Sequence, residues 1–188
     1  MDNNFSAHLK DIISYSREEA LRLGNDFIGI EHLLLGLIRD GENLGVKILQ
    51  RVGNVDLYEL RREIELTVKD KNSKGPGNIN SLPLTRQAER VMRIMILESK
   101  AQKSQTVEGE HLMLSILKNK ENAATQILLQ YGVDYESFRN ELGLVTNADL
   151  PKSEFTDEND DDFDEEKRGA GYSQQKGQRQ QQGNQKSK

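Results

Sequence analysis

The stretch FIGIEHLLLGLI, residues 27–38, decides the fold. It is apolar around nearly the whole circumference of the helix that it predicts, a pattern typical of the centre of a helix bundle. A similar stretch, TVEGEHLMLSIL, follows at residues 106–117. Each apolar run starts with an acid and a histidine, Glu31-His32 and Glu110-His111. These pairs are either a chemical site or the mark of a structural unit that occurs twice.

The sequence around the two stretches is duplicated. Glu31 and Glu110 lie 79 residues apart, and the same offset matches Gly53 with Gly132. Asn54 is one extra residue in the first copy, and beyond it the copies match at an offset of 78. A match that continues over a whole unit with one single-residue shift indicates an internal repeat.

Each copy predicts four helices and almost no strand, so we predict an all-α fold of two tandem four-helix repeats. Ser6 and Thr85 are expected to cap the first helix of each copy, because a hydroxyl accepts hydrogen bonds from first-turn amides. Gly53 and Gly132 are expected to end the third helices. The predicted boundaries are residues 1–70 for the first repeat, 71–83 for a polar connector, 84–145 for the second repeat and 146–188 for a linker.

The first helix of the second copy has an additional set of apolar side chains. We expect these to make it more enclosed than its counterpart in the first copy: Ile94, Ile96 and Leu97.

The composition changes after about Val145. Residues 154–166 read EFTDENDDDFDEE, and residues 169–188 are mainly Gly, Gln, Ser, Asn and Lys. Such segments bury too little apolar surface to offset the entropy of ordering, so 146–188 is predicted to be a disordered acidic and Gln-rich linker. An acidic interaction tail and Gln-rich self-association are the alternatives.

Overall composition excludes several classes of protein. The 188 residues include no cysteine, which rules out disulfides. The net charge is −5, which argues against nonspecific nucleic-acid binding. No apolar stretch approaches the ~18 residues of a membrane span. The N-terminus MDNNFSAHLK lacks the basic and apolar parts of a secretory signal. We therefore predict a cytoplasmic protein that binds neither nucleic acid nor membranes.

The Glu-His pairs raise the possibility of a metal-dependent enzyme. Neighbouring residues on a helix point about 100° apart, so Glu31 and His32 cannot hold one ion from one helix. The chain has three histidines, whereas a closed zinc site needs about four ligands. It has no Gly-x-Ser-x-Gly motif, and the nearest approach to a phosphate-binding loop, GENLGVK at 41–47, has the wrong spacing. The sequence predicts no catalysis, no metal and no cofactor.

Structural roles remain open for the same residues. Each histidine is expected to pack at the start of a buried helix and to bond a neighbouring carbonyl. A carboxylate in a first helical turn is favoured by the helix dipole, by up to ~1 kcal/mol. That effect alone could explain Glu31 and Glu110, and ligand binding is the equally weighted alternative.

FIGIEHLLLGLI, preceded by SREEALRLGND and followed by RDGENLGVKIL, closely resembles the Clp N-terminal repeat, which reads G-T-E-H-hydrophobic-L-L-G-L. The resemblance covers about residues 5–145 and is weaker in the second copy. Two such repeats form the N-terminal domain of the Clp unfoldases, and the ClpC type is the most similar. The resemblance implies two four-helix repeats related by pseudo-twofold symmetry.

The resemblance also implies a function. The family's domain hydrolyses no ATP but captures protein substrates and adaptor proteins for ATPase rings that feed a Clp peptidase, both parts of a longer parent. Some ClpC members read phosphoarginine. Carried over by position, the implied sites are Ser6 with Glu31, and Thr85 with Glu110.

The family's Thr before the Glu-His pair is replaced by Ile30 and Gly109, which removes a hydroxyl from each implied pocket. A docking domain without a ligand of its own is the competing hypothesis.

Overall fold

The computed structural model describes residues 4–69 and 81–146, all of which lie in one compact unit, Met1–Phe155. Within these ranges the chain forms eight α-helices and two isolated β-bridges. The first repeat contains α1 (Ala7–Arg22), α2 (Ile30–Asp40), α3 (Leu44–Gly53) and α4 (Leu57–Lys69). The second contains α5 (Arg86–Ala101), α6 (Gly109–Lys118), α7 (Ala123–Gln130) and α8 (Tyr135–Thr146). The predicted all-α fold of two four-helix repeats is confirmed.

A residue with a hydroxyl side chain caps the start of the first helix in each repeat, as predicted. The Ser6 side chain accepts from the Leu9 N–H at 3.0 Å, and Thr85 Oγ1 accepts from the Ala88 N–H at 3.0 Å. Each bond satisfies one of the amides that a helix leaves without a partner in its first turn. The two caps fix where α1 and α5 start.

Helix α3 ends at Gly53, as predicted, although Gly53 is not the residue in the left-handed conformation. Gly53 is the last helical residue, and Asn54 takes the left-handed conformation (φ 48°) that ends the helix. Gly53 is required for close packing instead, because a Cβ there would lie 2.7 Å from a methyl group of Val133 in the second repeat. Gly132, its counterpart, does adopt the left-handed conformation (φ 80°).

The central helices α2 and α6 lie in the core, as their apolar circumference predicted. Every residue of α2 from Ile30 to Ile38 is buried. The expectation for α5 is only partly confirmed, because Ile94 is buried while Leu97 is 37% exposed. An apolar side chain that widens a helix face is covered only where a neighbouring element reaches it.

Helices α1 and α2 run antiparallel. Near the start of α1, His8 Nε2 lies 2.8 Å from a carboxylate oxygen of Asp40 at the end of α2. Beyond the end of α1, the Asn25 side chain bonds the His32 ring at the start of α2. The beginning of α1 therefore lies far from the beginning of α2.

The two repeats contact each other through matched pairs of interactions. Short parallel bridges join Phe5 to Val107 and Ile28 to Leu84, each linking the residues before a first helix to the loop before the other repeat's second helix. Arg51 of α3 bonds Glu141 of α8 at 2.7 Å. The corresponding contact joins Tyr131, which directly follows α7, to Glu63 of α4. Contacts that recur when the two repeats are exchanged indicate that an approximate twofold axis relates the repeats.

A buried acid at the same position of each repeat holds the fourth helix. Glu19 of α1 lies 2.7 Å from Arg22 and 3.8 Å from Arg61 of α4. Glu98 of α5 accepts from the Tyr135 hydroxyl of α8 at 3.0 Å. These carboxylates are almost fully buried, so their partners offset a large desolvation cost.

The remaining predicted boundaries stay predictions. The structure describes only the last residues of the predicted connector 71–83, and the predicted linker beyond Thr146 lies outside the described residues. No helix in the described ranges is long and apolar enough to cross a bilayer.

Candidate functional site

The four predicted site residues lie at helix starts. Ser6 and Thr85 are the N-caps of α1 and α5. Glu31 and Glu110 stand in the first turns of α2 and α6. Glu31 is 6% exposed, whereas Glu110 is half-buried.

The predicted pairing of Ser6 with Glu31 is wrong. Ser6 precedes α1, whose first turn lies at the Asp40 end of α2. Glu31 lies at the other end, nine residues and ~14 Å away along the helix axis. Thr85 and Glu110 occupy the matching positions of the second repeat, so they are separated in the same way.

The structure pairs the residues across the two repeats. The Thr85 N–H donates to the Ile28 carbonyl at 3.0 Å, which sets this cap beside the start of α2. The Ser6 N–H donates to the Val107 carbonyl at 3.2 Å, beside the start of α6. We name the two groups the Thr85 site (Thr85, Gly29, Glu31) and the Ser6 site (Ser6, Glu108, Glu110).

In the Thr85 site the carboxylate folds back over the start of its own helix. A Cβ on Gly29, the N-cap of α2, would lie 3.1 Å from Glu31 Oε1 and 3.6 Å from a ring carbon of Phe27. The absence of a side chain at Gly29 therefore leaves room for the Glu31 carboxylate. The acid is thus held close to the first-turn amides, where the helix dipole favours negative charge.

In the Ser6 site a second carboxylate is present. Glu108 Oε1 accepts from the Ser6 hydroxyl at 2.8 Å, and Oε2 accepts from the Thr106 hydroxyl at 2.6 Å. Burial raises the pKa of Glu110, and a hydrogen bond from its own N–H partly offsets this rise. The nearby charge of Glu108 raises the pKa further, and His8 has a smaller, opposing effect. Two carboxylates therefore share one helix start.

The histidines of the Glu-His pairs cap helices by accepting from backbone amides through Nδ1, and His32 also bonds a neighbouring carbonyl, that of the Asn25 side chain. His32 Nδ1 accepts from the Gly29 N–H and His111 Nδ1 from the Glu108 N–H, both at 2.9 Å. The His32 proton is therefore on Nε2, 2.8 Å from Asn25 Oδ1. Burial lowers the pKa of His111 to about 4, which keeps this ring neutral.

Metal-ligand groups do not converge at these helix starts. Within residues 4–69 and 81–146, no three His, Asp or Glu side chains are placed to hold one ion. Both ring nitrogens of His32 are used in hydrogen bonds. The arrangement offers carboxylates, hydroxyls and helix-start amides, which suit the recognition of cations and anions.

The two residues that replace the family's threonine, Ile30 and Gly109, are closely packed. Ile30 is buried in the core. At Gly109 a Cβ would lie 3.1 Å from Asn43 Cβ, and a Cβ on Gly45, at the start of α3, would lie 3.0 Å from the Gly109 carbonyl oxygen. A larger residue at 109 would separate α3 from α6.

Glu108 is the site residue that sequence reasoning missed. It precedes the second Glu-His pair by two residues and occupies the position that Gly29 holds in the first copy. The difference between Gly and Glu at matched positions is the signal that the sequence offers for it.

Known proteins agree with this architecture. A family model described as the Clp repeat (R) N-terminal domain matches residues 4–131 and 97–160. The chaperone protein ClpC2 of Arabidopsis thaliana chloroplasts is 32% identical over 143 residues, which are 76% of this chain and 14% of that protein. The chaperone protein ClpB of Oceanobacillus iheyensis is 30% identical over 142 residues, which are 76% of this chain and 17% of that protein. The chain thus spans about a seventh of the length of such relatives.

A solved structure has the same fold. The crystal structure of the N-terminal domain of ClpD from Arabidopsis thaliana aligns with a TM-score of 0.62 at 19% identity, over 78% of this chain and 97% of that one. The repeat, the exchange of contacts between its copies and the family match lead to one conclusion. The chain belongs to the Clp repeat (R) N-terminal domain family.

Proposed function

We propose that the chain is the substrate- and adaptor-recognition domain of a ClpC-like regulatory subunit of an ATP-dependent protease. In this proposal it captures client proteins for ATPase rings, and the rings and a Clp peptidase belong to a longer parent. The family match supports the proposal, as do relatives named as ClpC chaperones and as ATP-binding subunits of a Clp protease. A cytoplasmic location is part of the proposal.

The observation that carries the proposal is the matched pair of acid and hydroxyl groups at helix starts. The Thr85 site and the Ser6 site each combine a hydroxyl cap with a first-turn carboxylate from the other repeat. A carboxylate binds a guanidinium through charge-assisted hydrogen bonds. Helix-start amides and a hydroxyl suit a phosphate. We therefore propose that arginine-phosphorylated segments are among the ligands.

A peptide titration tests this function. We compare a client peptide containing one phosphoarginine with the same peptide containing arginine, by fluorescence anisotropy. The double variant Glu31→Ala, Glu110→Ala is expected to bind the phosphorylated peptide at least tenfold more weakly, because each charge-assisted bond contributes about 1.5–3 kcal/mol. Glu121→Ala serves as control, since it removes an exposed carboxylate at the other end of α6.

A docking domain without a ligand of its own is the second candidate. It is favoured by the burial of Glu31, whose carboxylate already lies against the start of its own helix. Absence of saturable binding to both peptides and to adaptor proteins would leave this candidate alone. Elemental analysis without stoichiometric metal would reject a metal-dependent enzyme.

A further inference from the structure

We propose that Glu108 closes the Ser6 site to phosphorylated ligands, so that the domain binds one phosphoarginine, in the Thr85 site, rather than two. This inference rests on the proposed function and specifies which of its two sites is used. It makes Glu108 a residue that determines specificity.

The first argument is that the Ser6 hydroxyl is already engaged on both sides. It accepts from the Leu9 N–H at 3.0 Å and donates to Glu108 Oε1 at 2.8 Å. The other oxygen of Glu108 is held at 2.6 Å by the Thr106 hydroxyl. The carboxylate thus occupies the hydrogen-bonding position that a phosphate would need beside the Ser6 cap.

The second argument is electrostatic. A phosphate group carries about −1.5 to −2 charges at neutral pH, and a carboxylate at the same helix start repels it. Glu110 has a counterpart in Glu31 of the Thr85 site, so Glu108 is the acid that distinguishes the Ser6 site. Its charge makes the Ser6 site unfavourable for a phosphate even though the helix start would favour an anion.

The Thr85 site lacks this obstruction. Its residue at the position of Glu108 is Gly29, which has no side chain. Thr85 Oγ1 accepts from the Ala88 N–H, and its proton has no acceptor among the described residues. A phosphate can therefore accept a hydrogen bond from the Thr85 hydroxyl. The guanidinium part binds Glu31 when this carboxylate, which is 6% exposed and already has an interaction within the protein, turns towards the ligand. The two repeats differ at the matched positions Gly29 and Glu108, and this difference sets the number of ligands that the domain binds.

Exchanging the two residues tests the inference. The probe is free phosphoarginine, and its stoichiometry is measured by isothermal titration calorimetry on the full chain. We expect one site in the wild type, two in Glu108→Gly and none in Gly29→Glu. The backbone of Gly29 is extended (φ −102°), so glutamate is tolerated there, and the nearest atom is the end of the flexible Glu31 side chain. Glu121→Gly, an exposed loop position, is expected to keep one site.

The outcomes separate this inference from the proposed function. Two sites in the wild type, or one site in Glu108→Gly, would overturn the inference and leave phosphoarginine recognition intact. No binding by the wild type and by Glu108→Gly would refute phosphoarginine recognition itself. Thermal melts of each variant show whether it is folded. If Gly29→Glu does not fold, Thr85→Val replaces it, and this variant is expected to lose binding. Retained binding by Thr85→Val would overturn the inference.

Discussion

At the scale of single residues, the two histidines replace the acid or amide of a usual capping box. In that motif a side chain three residues into the helix accepts from the N-cap amide, and His111 does so through Nδ1. Only a neutral imidazole has a nitrogen free to accept. Protonation of His111 would therefore break the cap and place a charge in a buried site, which is the physical reason for its lowered pKa.

This cap predicts a stability that depends on pH. The pKa of His111 is about 4 in the folded chain, against an ordinary histidine pKa of 6.5, so the unfolded chain takes up the proton more readily. The contribution of His111 is complete above about pH 6.5 and is lost as the pH falls towards about 4, with a total on the order of 3 kcal/mol. Urea unfolding of the wild type between pH 7 and 4 measures this change.

The substitution His111→Asn separates this effect from carboxylate titration. Asparagine keeps an acceptor near the Nδ1 position but does not titrate, so its stability is expected to fall less steeply between pH 6.5 and 4. NMR titration of the His111 ring in the wild type is expected to have its midpoint near 4. Equal pH dependence in the variant and the wild type would contradict the prediction.

At the scale of the helices, the crossing of the first and second helices is packed with different side chains in the two repeats. In the crossing of α1 and α2, Gly36 faces Ser16, whose hydroxyl bonds the Ile12 carbonyl at 3.0 Å. At the matching place in the second repeat, Ser115 of α6 bonds the Val91 carbonyl of α5 at 2.6 Å. A hydroxyl meets the same turn of the first helix in both repeats, but it comes from a different helix.

This difference predicts the effect of Gly36→Ala. The new Cβ would lie 2.3 Å from Ser16 Oγ and 2.6 Å from the Ile12 carbonyl oxygen, so α1 and α2 must separate. Overpacking costs about 1–3 kcal/mol, and the higher helix propensity of alanine returns only ~1 kcal/mol. We expect the free energy of unfolding in urea to fall by up to about 2 kcal/mol.

Ser115→Ala is the matched control for this crossing. It removes one hydrogen bond, worth about 1 kcal/mol, and gains part of that back in helix propensity. Its stability is expected to change by about 0.5 kcal/mol or less. Greater stability of Gly36→Ala than of the wild type would show that the crossing is not close-packed.

The helices themselves could be predicted from the sequence, but the partners of their ends could not. Periodicity shows which face of a helix is buried, and the hydroxyls of Ser6 and Thr85 identify helix starts. Neither signal tells which other helix covers that start, and the pairing of Ser6 with Glu31 rests only on matching positions to the motif of the family. The actual neighbour of Ser6 is Glu108, 102 residues away, because the loop before α6 bridges to the first repeat.

At the scale of the whole molecule, the two repeats share one hydrophobic core. Residues of α2, such as Leu35, and of α6, such as Leu114, belong to a single buried cluster to which all eight helices contribute. A repeat of about 65 residues alone buries too small a fraction of its surface to be very stable. The bridges and the contacts between α3 and α8 and between α4 and α7 further join the repeats.

We therefore expect the described helices to unfold as one cooperative unit. Native-state hydrogen exchange followed by mass spectrometry reports on α2 and α6 separately, and peptides from both helices are expected to give the same opening free energy. Because the core is shared, Gly36→Ala in α2 is expected to lower the protection of α6 by the same amount as that of α2. Peptides from α6 with unchanged protection in this variant would show that the second repeat opens independently. In that case the exchanged contacts would join two folding units rather than complete one, and the sites between the repeats could be lost without unfolding of either.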